Sequence, residues 1–489
     1  MSGVSAMPVK RGIELGFLNG KPLIYGGTEP VAIDAQAGKG KLARFLGVNL
    51  VSPSTKQVSK IITDPKDAEL TWVAWKTLER QGYDVRFINA GKLHGYKSET
   101  FNLNTRLLEV AAVSELSPIV GDVAYDAASF LLPIDPAPNH RWIGQGARVF
   151  AALYNKQAAC FPSQRWPCTA GGLWDFFARD RQEITDDLML WASDSRRQDD
   201  AGMCHLVASF LTSNDQWNAY ASLLTEQLRG FSKGSAARFV TDANSFDPAD
   251  MKRRRTALFI IGSSDSDTSH TLVGAMTAAI VERFAGTHGP LRALVIGEEW
   301  GQLYVSNFYK MLTLYRQGGV DFLGVFQNAP AQIERRYGEE VARTWRKAVA
   351  HTLYRGLPDD KTLEGIEKRS GRASVMVRGF NVSNAQVNGS GDNLVEQARP
   401  LLQVEDIRAL TGGKTALLES RDHGFFVVDL PNFWERPEMS GMLRDVTKKP
   451  DKYAWLATRA RALPSPAPND DRDAEIRDIL ESLESDTDL

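Results

Sequence analysis

The residues best suited to chemistry form one short stretch, Ala35-Gln36-Ala37-Gly38-Lys39-Gly40-Lys41-Leu42. It follows the apolar run Val31-Ala32-Ile33 and Asp34, and it precedes a helix-like run over 43–51. Glycines let backbone N–H groups close around phosphate oxygens, and a helix N-terminus adds its dipole. A lysine supplies a point charge for the outer phosphates. Strand, glycine-rich turn, lysine and helix make the layout of a nucleotide phosphate loop, G-x-x-x-x-G-K-[ST]. Two positions depart from it: Ala35 replaces the first glycine, and Leu42 replaces the hydroxyl residue that would hold magnesium. A glycine-rich surface turn with two lysines is the other reading of this stretch.

A second signal is Glu298-Glu299, which ends the apolar run Ala293-Leu294-Val295-Ile296-Gly297. Two carboxylates at the end of a buried strand are costly to desolvate unless they meet a cation or donors. In a phosphate-loop enzyme the first carboxylate contacts the magnesium shell. The second activates the attacking water as a general base. The alternative is that both cap the following helix, since acids favour helix N-termini. Gln327 ends the strand-like run 321–326 and could sense a terminal phosphate or orient water. Arg316 ends the helix-like run 305–315 and could serve a neighbouring subunit as an arginine finger. An ordinary helix-end arginine on the surface is the commoner case.

The elements around these residues alternate. Strands are expected at 31–35, 60–64 and 84–89, with helices at 40–51 and 65–82 between them. Strands alternating with helices imply a parallel sheet with covered faces, whose ligands sit at the carboxyl ends of the strands. From 105 to 230 strand signals vanish and helical periodicity takes over, at 122–131, 142–159, 171–179, 184–192, 202–211 and 216–228. Trp142, Trp166, Trp174, Trp191 and Trp217 are expected to be core residues of this region. The α/β pattern returns at 256–261, after the basic run Lys252-Arg253-Arg254-Arg255, which reads as a solvated strand start. The stretch 372–393 reads as a mobile polar loop. Four regions result: 1–104 and 231–440 as two parts of a nucleotide-binding α/β domain, 105–230 as an inserted all-α domain, and 441–489 as a linker and acidic tail.

Composition sets limits on function. The chain has 489 residues, 43% hydrophobic and 24% charged, with a net charge of −2. That is ordinary globular composition, with no global basic field for nucleic acid. Cys160, Cys168 and Cys204 make no metal spacing and suit a reducing compartment, with Cys168 expected to be structural. Neither a signal peptide nor a membrane-spanning run is apparent, so a cytoplasmic location is expected. Residues 470–489 are acidic, with an apolar stripe at Ile476, Ile479, Leu480 and Leu483 that suits a partner contact.

Over roughly residues 20–440 the chain resembles the type IV coupling proteins of bacterial conjugation and type IV secretion (TraG/TraD-like). The resemblance rests on ordered blocks. These are the loop A-Q-A-G-K-G-K, the run I-I-T-D-P-K-D-A-E-L that ends at Leu70, Gln81-Gly82-Tyr83-Asp84-Val85, and Phe101-Asn102-Leu103. Residues 142–150 with Ala147-Arg148, the strand A-L-V-I-G-E-E-W-G-Q-L, and the run 316–332 followed by Tyr337-Gly338 continue the series. Arg399-Pro400-Leu401-Leu402 with Ile407 and Leu410 close it.

The resemblance implies a RecA-like phosphate-loop core, mostly parallel with helices on both faces, carrying an all-α insertion. It implies an ATPase using ATP and Mg2+, assembled as a hexameric ring at the inner membrane. Its partners would be single-stranded DNA with its relaxase, or protein effectors, together with secretion-channel subunits. By position, Lys41 and the amides around Gly38 and Gly40 would bind phosphates. Glu298 would stand at the metal, Glu299 would be the catalytic carboxylate, Gln327 the sensor and Arg316 a finger. The family's pair of N-terminal transmembrane helices is missing here. A hydrolysis-deficient adaptor of the same fold is the alternative, given Leu42 and the longer Glu298.

Overall fold

The computed structural model describes residues 11–113, 119–132, 140–159, 167–193, 218, 228–357, 359–380 and 392–456. Chain order begins with β1 (Ile13–Leu18), β2 (Lys21–Tyr25), β3 (Val31–Ala35), β4 (Ser59–Asp64) and β5 (Asp84–Asn89). After a helical stretch come β6 (Thr256–Ile261), β7 (Ala293–Gly297), β8 (Val320–Phe326) and β9 (His351–Arg355). The last strands are β10 (Arg372–Phe380), β11 (Asp392–Pro400), β12 (Thr415–Ser420) and β13 (Gly424–Asp429).

Eleven strands form one sheet in the order β2-β1-β13-β12-β9-β3-β8-β7-β4-β6-β5. The half from β9 to β5 is parallel throughout. Its strands are apolar runs because helices cover both faces. Alternate residues feed opposite sides, as a pleated strand requires. Leu258, Ile61 and Val295 enter one hydrophobic cluster, while Phe259, Ile62 and Ile296 enter the other. Helix Asp267–Ala285 covers the first face and helix Glu69–Arg80 the second.

Between β5 and β6 the described elements are all helical: Thr105–Ala111, Val120–Ser129, His140–Ala159, Ala170–Phe177 and Arg181–Ser193. Their Leu107, Val123, Phe150, Leu173 and Phe176 join the first cluster, so insertion and sheet share one core. Trp174 packs partly buried against it. The helices expected at 202–211 and, but for Trp217's neighbour at 218 and Leu228, at 216–228 lie outside the described residues, as does the tail. Nothing is described of the side chains of Trp142, Trp166, Trp191 and Trp217. Cys168 is buried, and burial pushes its thiol up to about 12, so it is a packing residue.

Several elements differ from expectation for local reasons. The helix expected from 65 starts only at Glu69, because Asp67 (φ 53°) and Ala68 (φ 61°) are left-handed. Asp64 accepts from the Thr71 N–H and Oγ1, both at 2.7 Å, and so ties the late start to the strand end. The run 329–348 forms two helices, Ala329–Tyr337 and Glu339–Ala348, broken at Gly338 with φ 88°. The stretch 372–393, read as a mobile loop, instead contains all of β10 and the start of β11, paired antiparallel from Arg372↔Pro400 to Phe380↔Asp392, and its residues 381–391 lie outside the described residues. The basic run before β6 is largely occupied internally. Lys252 is buried over the Phe284 ring at 3.9 Å, and Arg255 donates to the Gln81 carbonyl at 2.7 Å.

Candidate nucleotide site

The carboxyl ends of β3, β8, β7 and β4 lie side by side. The glycine-rich loop leaves β3 there. Gly38 (φ 75°) and Gly40 (φ 76°) adopt left-handed backbone that a side chain would disfavour. The helix that follows opens with a wide turn over Leu42–Leu46, in which the Gly47 N–H donates to the Leu42 carbonyl. Such turns cluster at functional sites. Leu42 itself is half-buried and packs on the second cluster.

Arg355, at the end of β9, buttresses this loop. Its Nε donates to the Lys39 carbonyl at 2.7 Å and its Nη1 to the Thr415 carbonyl at 2.6 Å. Its own carbonyl accepts from the Gln36 N–H at 3.4 Å. Asp34 sits under the loop, fully buried, with Oδ2 accepting from the Ala329 N–H at 3.0 Å and Oδ1 without a partner. Burial pushes its carboxyl up to about 6.

Two strands away stand Glu298 and Glu299, both buried. Glu299 holds left-handed backbone at φ 54°, a strained state for a side-chain residue. Its carboxylate gathers donors: Lys66 Nζ at 2.6 Å, Gln327 Nε2 at 3.0 Å, Gln302 Nε2 at 3.2 Å and Lys41 Nζ at 3.4 Å. Burial pushes Glu299 up, but Lys41, Lys66 and Gln327 outweigh it, and the net direction is down. Among the described residues Glu298 has one donor, Lys66 Nζ at 3.1 Å, and its Oε2 is buried without a partner. Burial therefore holds Glu298 above its ordinary value.

Lys41, Glu298, Glu299 and Gln327 thus meet at one place, beside the loop 35–42. Arg316 does not. It precedes β8, whose far end carries Gln327, and seven residues of strand put about 20 Å between those ends. Its closest acid is Glu29, at 3.7 Å. Sequence reasoning gave no role to Lys66 or Arg355. Lys66 was within reach: it follows a strand end next to the carboxylate strand, in Asp64-Pro65-Lys66.

Residues 292–412 match the family model described as the TraM recognition site of TraD and TraG. Over that segment the chain is similar to TraD and TraG. The chain also shares its fold with solved coupling proteins. The bacterial conjugative coupling protein TrwBdeltaN70 superposes with a TM-score of 0.58 at 15% identity, covering 89% of this chain and 90% of that one. Plasmid coupling protein TrwB in complex with the ATP analogue ADPNP gives 0.57 at 14% identity, over 87% and 90%. TrwB in complex with ADP and Mg2+ gives 0.56 at 13% identity, over 87% and 89%. No curated protein sequence matches the chain. Among the described residues no helix is long and apolar enough to cross a membrane.

Proposed function

We propose that this chain is a coupling protein that binds ATP with Mg2+ and hydrolyses it to drive cargo toward a type IV secretion or conjugation channel. The observation that carries it is the convergence of Lys41, Glu298, Glu299 and Gln327 beside a glycine loop at neighbouring strand ends. The TrwB complexes with ADP and Mg2+ and with ADPNP support the same ligands on the same fold.

The roles follow from chemistry. Lys41 and the loop 35–42 hold phosphates, with the amides around Gly38 and Gly40 donating. Glu299, kept ionised by its donors, takes the proton of an attacking water at its Oε atoms. Gln327 holds that carboxylate in place and reports on the terminal phosphate. The residues suit magnesium in part. The orphaned Glu298 Oε2 is a hard oxygen donor at the right strand end. No cluster of three ligating side chains exists among the described residues, which agrees with an ion held mainly by phosphates and water. Magnesium, when bound, supplies charge neutralisation at the outer phosphates.

The cargo would be single-stranded DNA with its relaxase or a protein effector, and the working form a hexameric ring. In such a ring Arg316 would reach the site of a neighbour. The matched segment 292–412 is described in TraD and TraG as a TraM recognition site, so a relaxosome protein is the proposed partner. The acidic tail and secretion-channel subunits complete the proposed contacts, at the cytoplasmic side of the inner membrane.

A second reading, a non-hydrolysing adaptor, is favoured by one observation: Leu42 brings no hydroxyl to the metal position. ATP turnover by the purified protein, with and without single-stranded DNA, separates the two. Turnover that is stimulated by DNA and absent in Lys41→Ala supports the motor. Nucleotide binding without turnover supports the adaptor.

A further inference from the structure

Lys66 has no part in the roles above, yet it makes the shortest contact in the site. Its Nζ lies 2.6 Å from Glu299 Oε1 and 3.1 Å from Glu298 Oε1. The two carboxylates are 2% and 5% exposed, whereas Lys66 is 35% exposed. Buried acids of like charge need a cation between them. Lys41 reaches Glu299, at 3.4 Å, and among the described residues Lys66 is the only donor to Glu298. A lysine suits this position because its ammonium is a compact charge on a flexible stem, able to leave.

The loop that carries Lys66 is held from outside. Pro65 precedes it, and Asp67 and Ala68 are left-handed, a strained backbone state for residues that carry a side chain. Such strain persists only where surrounding contacts over-determine it. Those contacts come from two sides, residues 262–264 and the segment around 444–452, which crosses helix Glu69–Arg80 through Arg444 N–H to the Val73 carbonyl at 3.1 Å. Lys449 Nζ donates to the Asp67 carbonyl at 3.0 Å, and Lys452 Nζ donates to Asp67 Oδ1 at 3.1 Å. Ser263 and Ser264 also donate to the Asp67 carboxylate. The Lys452 carbonyl accepts from the His94 N–H at 2.7 Å, and His94 Nε2 lies 3.2 Å from the Asp67 carbonyl.

We propose that Lys66 is a positioning residue that occupies the cation place between Glu298 and Glu299 before nucleotide arrives, held there by the strap at Lys449 and Lys452. The role depends on Glu298 and Glu299 serving a nucleotide and its metal, as argued under the proposed function. An ammonium on both carboxylates competes with any divalent ion for the same oxygens. Loosening the strap relaxes the left-handed loop and frees the pair.

Manganese binding to the nucleotide-free full chain, read by electron paramagnetic resonance, tests this without relying on turnover. Lys66→Met is expected to bind Mn2+ at least fivefold more tightly than the unaltered protein, and Lys66→Arg to stay within about twofold of it. Lys452→Ala is expected to shift affinity the same way by a smaller factor. Circular dichroism melting shows whether each variant is folded. A folded Lys66→Met with unchanged Mn2+ affinity, or with no bound Mn2+ at all, overturns the competition. A folded Lys452→Ala without effect overturns the strap. Failure of the nucleotide reading is scored separately, by loss or retention of ATP-analogue binding in Lys41→Ala.

Discussion

Lys41 Nζ lies 3.4 Å from Glu299 Oε1, although 258 positions separate the two in the chain. The parallel sheet makes the meeting possible: β3 ends in the loop, β7 ends in the carboxylates, and β8 stands between them. In the proposed function the pair links phosphate binding to water activation, so its two halves should fail differently. Lys41→Ala should lose nucleotide binding. Glu299→Gln keeps the shape and the Gln327 contact but removes the base. It should bind an ATP analogue within a few-fold of the unaltered protein and lose about 10²–10⁴ in turnover, the usual worth of a general base. Equal loss of binding in both variants would contradict the division of labour.

Much of this was legible in the sequence, and the parts that were not have physical reasons. Apolar runs as short as 256–261 and 293–297, set between helical segments, suit strands covered on both faces, so β6 and β7 were readable. β1 was missed. Its Glu14 is buried by pairing with Arg436, a contact 422 positions away that no local pattern announces. The start of helix Glu69–Arg80 was misplaced because a proline normally marks a first turn. Here Asp64 reaches past it to Thr71 and leaves 65–68 as a turn. The same turn hid Lys66, whose contacts depend on the left-handed residues after it. β10 and β11 pair only with each other, and their polar composition reads as loop. Glu298 and Glu299 were found because two acids after a buried strand demand a cation.

Leu42 occupies the place of the metal-holding hydroxyl, and it is half-buried against the second cluster. Leu42→Thr exchanges apolar contact for a hydroxyl at the start of the helix. The Mg2+ concentration needed for half-maximal nucleotide binding should fall several-fold. The melting temperature should fall by a few degrees, from about 1–2 kcal/mol of lost burial. Titration of Mg2+ against binding of a fluorescent nucleotide measures the first, and a thermal melt the second. An unchanged Mg2+ requirement would show that Glu298, phosphates and water already complete the shell.

Asp64 is fully buried, with Oδ1 unpartnered, and burial pushes its carboxyl up to about 7. Its ordinary value is 3.8, so the folded state holds a proton that the unfolded chain releases. Stability from this group is therefore present below about pH 4 and is lost as pH rises toward 7. Asp64→Asn cannot ionise, so its advantage over the unaltered protein should be smallest at pH 4.5 and grow up to pH 8. Linkage caps that gain at about 4 kcal/mol. Paired urea melts at pH 4.5, 6 and 8 measure it. A gain independent of pH would mean that the Thr71 hydrogen bonds, and not the proton, set the difference.

Gly297 is the last residue of β7, immediately before the carboxylates. A Cβ there would overlap the Trp300 indole Nε1 and the Thr63 Oγ1, both of which are buried. Trp300 is 1% exposed and packs edge-on against Phe322 at 4.8 Å, so it cannot swing away. Gly297→Ala must move either the indole or the strand end, and the strand end carries Glu299 in its strained turn. The expected cost is about 1–3 kcal/mol of stability, as for an overpacked core. Turnover should fall at least tenfold while the loop 35–42 still binds nucleotide. Gly412→Ala is the control, because a Cβ there meets nothing within 4 Å and ends a helix. It should leave turnover unchanged and match or slightly exceed the unaltered melting temperature. If Gly297→Ala melts and turns over like that control, the indole is free to shift and Trp300 does not fix the carboxylates.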